Sequence, residues 1–84
     1  HNERLALRVA EQMWANGLTL ERAAEVVNVE DRIDPQRTKR AFKAADKFAL
    51  TYMRHRVIEA TGDAPLTVAE IIKSFRSQCR QRAK

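Results

Sequence analysis

Apolar residues return every three or four positions through most of the chain, and the interruptions fall at Gly, Pro, Thr and Asp. In the first block Leu5, Ala6, Val9, Ala10, Met13 and Trp14 share one stripe, which predicts a helix over about residues 3–16 with Trp14 in the core. Gly17 suits the left-handed position after that helix, with Leu18 folding back toward Met13. Thr19 can cap a second helix over about 20–29, whose Leu20, Ala23, Ala24 and Val27 lie on one face before the polar run Glu30, Asp31, Arg32. Asp34 and Pro35 open a third helix as cap and first residue, and the pattern continues until Thr61 and Gly62. A fourth helix over about 67–82 begins at the capping pair Thr67 and Glu70, with Leu66 placed to staple onto Ile71. Its stripe is Val68, Ile71, Ile72, Phe75 and Cys79. The expected fold class is all-α, a compact bundle of four helices.

The third helix, spanning 35–61, is the long one. On a helical wheel Ala41, Phe42, Ala45, Phe48, Ala49, Tyr52 and Met53 fall in one arc, while Arg40, Lys43, Lys47 and Arg54 fall opposite. Past Arg54 the register changes: Arg56 turns to the apolar side, and Val57 and Ile58 turn away from it. This predicts either a kink near His55 or a second half packed on another partner, with Val57 and Ile58 free for an oligomer contact in a homodimer.

Composition narrows the class. A chain of 84 residues with 44% hydrophobic and 32% charged residues has one core and enough apolar surface to fold, but little room for a deep enclosed site. Residues 1–84 read as a single helical domain, and a first residue other than Met suggests excision from a longer polypeptide. The lone cysteine, Cys79, allows no internal disulfide, which points to a reducing compartment, the cytoplasm. No apolar run is long enough to span a membrane.

Charge is segregated. Up to residue 33 the chain has four Arg against six Glu and Asp; from Asp34 onward it has twelve Lys and Arg against five acids, so the net charge of +5 resides in the second half. Such a footprint suits a polyanion partner. The acidic residues Glu25, Glu30, Asp31 and Asp34 flank helix ends, where acids cap and solvate. Two His and one Cys fall short of a zinc ligand set, and two Gly leave no phosphate loop, so no metal and no cofactor is expected. A Cys79–His55 pair lacks an orienting third group, and the chain is read as a non-enzyme.

The segment from Leu18 to Val29, with Ala23 and Ala24 where a second helix must approach closely, resembles the first helix of a helix-turn-helix. The resemblance covers roughly residues 18 to 45. Val29 to Pro35 is longer than the compact turn of that motif, and the same pattern also serves ordinary helix packing. If the motif is present, the resemblance implies that Gln36, Arg37, Lys39, Arg40 and Lys43 face duplex DNA, with Lys47 one turn further. Arg and Gln suit base edges and Lys suits phosphate. Lys73, Arg76 and Arg80 form a second basic row on the last helix, continued by Lys84, and would add phosphate contacts. The aromatic residues lie on apolar faces, which disfavours a single-strand reader. Two functions follow: a small DNA-binding domain, a regulator of transcription or an accessory factor, or a helical interaction module that docks on an acidic protein partner. They differ in whether the two basic rows converge on one surface.

Overall fold

A computed structural model describes residues 4–31 and 34–82. Within them the chain is all-helical: α1 is Leu5–Asn16, α2 Leu20–Asp31, α3 Pro35–Lys43, α4 Lys47–Thr61 and α5 Val68–Arg82. Arg32 and Lys84 lie outside the described residues, as does the expected helix start at residue 3.

Most helix ends are written locally. Gly17 adopts a left-handed φ of 60°, and Leu18 N–H donates to the Met13 carbonyl at 3.1 Å. The Thr19 hydroxyl accepts from Arg22 N–H at 3.2 Å, and Asp34 Oδ1 from Gln36 N–H at 3.0 Å. At the start of α5 the Thr67 hydroxyl accepts from Glu70 N–H at 3.1 Å. That hydroxyl in turn donates a hydrogen bond to Oε1 of the Glu70 carboxylate at 3.0 Å. Leu66 does not staple onto Ile71; it is 84% exposed.

The expected helix over 35–61 is two helices. Ala44 N–H still closes onto the Arg40 carbonyl, but Asp46 is extended and its carboxylate accepts from Ala49 N–H at 2.9 Å, restarting the chain as α4. The fold therefore has five helices, and α4 continues as helix through His55, the position of the expected kink. The break resets the register. The buried stripe of α4 is Ala49, Met53 and Val57 at four-residue spacing, and Phe48, assigned to the core on a continuous wheel, is 66% exposed.

Val57 is therefore not free for a subunit contact: it is 2% exposed and belongs to the core, while Ile58 is half-buried. Arg56 does turn to the apolar side, where its guanidinium lies 5.6 Å from the Trp14 ring centroid and 5.2 Å from that of Tyr52. An ion pair with Glu59 at 3.2 Å holds its outer edge.

The first three helices pack on one another in every pairing, and α4 and α5 pack together as a second unit that meets α1. Phe42 from α3, Met53 from α4 and Phe75 from α5 meet Val9, Ala10 and Met13 of α1 and Ala23 and Val27 of α2 in one core. Trp14 stacks on Phe75 with centroids 5.8 Å apart, and Tyr52 meets the same ring edge-on at 6.2 Å. Across the chain Arg82 lies over Trp14, 4.2 Å from its centroid, and donates from Nε to the Trp14 carbonyl at 3.0 Å. Thr38 is the polar side chain buried with this core, and its hydroxyl donates to the Asp34 carbonyl at 3.3 Å. The molecule measures 36 × 28 × 14 Å. A short dimension of 14 Å leaves room for surface clefts rather than a deep enclosed site.

Candidate nucleic-acid interface

Helix α3 is short because its nine residues are capped at both ends, and its inner face is spent on Thr38 and Phe42. The positions left over, Gln36, Lys39, Arg40 and Lys43, recur at three and four residues and so form one outer face. Helix α5 buries Ile71, Phe75 and Cys79, which turns Lys73, Arg76 and Arg80 to its outer side.

These two faces meet. Gln36, Lys39, Arg40 and Lys43 line a cleft of about 250 Å³ together with Arg76 from α5 and Leu20 and Glu21 from α2. Arg76 and Arg80 also line a small cleft of about 100 Å³ against Leu18, Thr19, Leu20 and Glu21. On its far side Arg76 joins Lys73, Arg80, Ala69 and Ile72 in a groove of about 370 Å³ along α5. Arg76 is common to all three, so the basic rows form one continuous surface with the start of α2 at its middle. None of Lys39, Arg40, Lys43, Lys73, Arg76 and Arg80 forms an ion pair or a side-chain hydrogen bond with another described residue. Their charges are available to an outside anion.

Two expected residues stand apart. Arg37 is exposed but lines none of these clefts. Lys47 opens α4 after the break and so does not continue the α3 face by one turn. Arg54, grouped with the basic face on a continuous wheel, instead donates from Nε to the Pro65 carbonyl at 3.4 Å. Glu21 was not a candidate, yet it lies among the cations at the head of α2. No signal in the sequence marks this, since it depends on how α2 lies against α3 and α5.

The remaining chemistry is sparse. Another cleft, of about 490 Å³, lies between the end of α4 and α5, and its lining mixes Asp63 and Glu70 with Lys73. Burial pushes the Cys79 thiol up to about 11, partly offset by the nearby Arg82 charge, so it is a neutral thiol at pH 7. His55 is exposed. Among the described residues no group of three His, Cys, Asp or Glu side chains is placed to hold a metal ion. Among the same residues no helix is long and apolar enough to cross a membrane. Compared with known protein families, curated proteins and solved structures, the chain matches none.

Proposed function

We propose that this chain is a non-catalytic duplex-DNA-binding domain, a regulator or accessory factor, that engages DNA through α3 and α5. The observation that carries the reading is the convergence of the two basic rows at Arg76. A chain whose cations were there for solubility alone has no reason to gather them from two separate helices around shared clefts.

The connection between α2 and α3 adds support. Helix α2 reaches Asp31, two residues further than its apolar pattern predicts, and α3 starts at Pro35, so three residues join two helices that pack together. That is the length of a helix-turn-helix turn. In this reading Gln36 and Arg40, at the start and middle of α3, reach base edges, while Lys39 and Lys43 take phosphates on either side. Arg76, Arg80 and Lys73 contact the flanking backbone. Glu21 repels phosphate at the centre of the surface and so fixes where the backbone cannot run. The buried free Cys79 accords with a reducing compartment such as the cytoplasm.

One observation favours a second reading, an interaction module for an acidic protein: the α5 groove sets Ala69 and Ile72 among its cations, and apolar side chains gain little from a phosphate backbone. Titrating a labelled random duplex with the chain across about 50 to 200 mM salt separates the two. The DNA reading expects log affinity to fall linearly with log salt, at about −0.9 per phosphate contact, with four to seven contacts at roughly that slope. Arg40→Ala with Lys43→Ala then flattens the slope by about 0.9, for the phosphate contact of Lys43, and leaves the melting temperature in place, since both side chains are exposed. No duplex binding at the lowest salt overturns it.

A further inference from the structure

The outer faces of α2 and α5 carry complementary ridges. Glu21, Glu25 and Val29 follow one another at four-residue spacing on α2, all exposed, Val29 to 78%. On α5 the same spacing sets Val68, Ile72, Arg76 and Arg80 in a row, with Val68 52% exposed and Ile72 and Arg76 half-buried. Each step along such a row is about 6 Å, four residues at 1.5 Å. Laid antiparallel, the ridges oppose Glu21 to Arg80, Glu25 to Arg76 and Val29 to Ile72. Laid parallel, they set a cation against valine, so the match specifies direction as well as sign.

We propose that these ridges are the two sides of a contact between two copies of this chain, α2 of one seated antiparallel on α5 of the other. Three observations on the molecule favour a second copy over any other occupant. The acidic ridge belongs to the acidic half of the chain and the basic ridge to the basic half, so one chain carries both sides of the match and two copies can satisfy each other. Glu21, Glu25, Arg76 and Arg80 form no ion pair with any described residue, although Glu21 shares clefts with Arg76 and Arg80 of its own chain. Finally, Val29 is a large apolar side chain left in solvent at the end of its ridge, where the antiparallel match sets it against Ile72, one turn from the exposed Val68. The contact is narrow, so association is weak and salt-sensitive.

The proposal goes beyond the duplex reading and shares Glu21, Arg76 and Arg80 with it. A copy seated on α5 covers Arg76 and Arg80 and withholds them from a phosphate backbone, which makes self-association and duplex binding compete.

Sedimentation equilibrium without nucleic acid tests it. The expected result is an average mass that rises above the monomer with concentration and returns to it in high salt. Glu25→Arg and Arg76→Glu each weaken association about tenfold, and Val29→Ser weakens it with no change of charge. An equimolar mixture of the two charge variants regains association, because the Glu25 of one meets the Arg76 of the other. Glu21→Arg with Arg80→Glu gives the same exchange on exposed residues if Arg76→Glu lowers helicity. A monomer at every concentration overturns the proposal, as do charge variants that associate like the parent or a mixture that stays monomeric. With no DNA in the cell, failure here leaves the duplex reading standing, and failure of the duplex titration leaves this one standing.

Discussion

Replacing Asp46 with Ala tests the break between α3 and α4 by the sign of its effect. In the structure Asp46 is an N-cap whose carboxylate accepts from Ala49 N–H at 2.9 Å, while its own carbonyl accepts from Leu50 N–H at 3.0 Å. Ala keeps the second bond and loses the first, which costs about 1 kcal/mol. A domain of this size has a total stability of roughly 4–13 kcal/mol, and each kcal/mol moves its melting temperature by about 4–8 °C. The melting temperature followed by circular dichroism should therefore drop by about 4–8 °C. Asp46→Asn, which keeps an acceptor, should stay within about 2 °C of the parent. Had the chain been one helix over 35–61, residue 46 would be a helix interior. Ala is there the better residue by about 0.5 kcal/mol, and the same change would raise the melting temperature. A rise together with increased helical signal at 222 nm would refute the capped break and everything built on its reset register.

Three further outcomes follow from the packing. Phe75 is fully buried between Trp14 and Tyr52, so Phe75→Ala should cost about 3–5 kcal/mol, read as a shifted urea midpoint with loss of near-ultraviolet aromatic signal. Arg82→Ala removes both the stacking on Trp14 and the bond to its carbonyl, and should cost about 1 kcal/mol because the arginine is exposed; Arg82→Lys should not restore it, lacking the planar guanidinium. Cys79 should resist alkylation at pH 8 in the folded chain and react once urea unfolds it. Because its folded pKa is raised from 9.0 to about 11, the unfolded state gives up its proton first and stability falls as pH rises through that window; Cys79→Ala should remove this slope.

Local chemistry made most helix ends legible in the sequence. Thr19, Asp34, Thr67, Gly17 and Gly62 each act within four residues, and each sits where its residue type predicts. The break at Ala44 to Asp46 was hidden because Ala41, Phe42, Ala45 and Ala49 stay compatible with one wheel whether or not the helix continues. Only the capping capacity of Asp46 marks the restart. Ala49, Met53 and Arg56 fell on the expected side, but phasing across that point assigned Phe48 to the core, Val57 to the surface and Lys47 to the α3 face. The basic residues of α3 and α5 were legible one helix at a time. Their meeting at Arg76 was not, since periodicity states which way a side chain leaves its own helix and nothing about where two helices lie relative to each other.

The contact between Arg82 and Trp14 joins residues 68 positions apart, and that separation bears on how the chain reaches its native state. Helices α1 to α3 close over short loops, as do α4 and α5, so both units can assemble before the chain is joined end to end. Closing the longest loop is the slowest to be rewarded, which places the clasp after the rate-limiting barrier to folding. A contact formed that late leaves the refolding rate alone and governs the escape rate. Arg82→Ala should thus steepen nothing on the refolding arm of a chevron and lift the unfolding arm by about fivefold for 1 kcal/mol. The final turn of α5 is thereby expected to govern how long the native state survives.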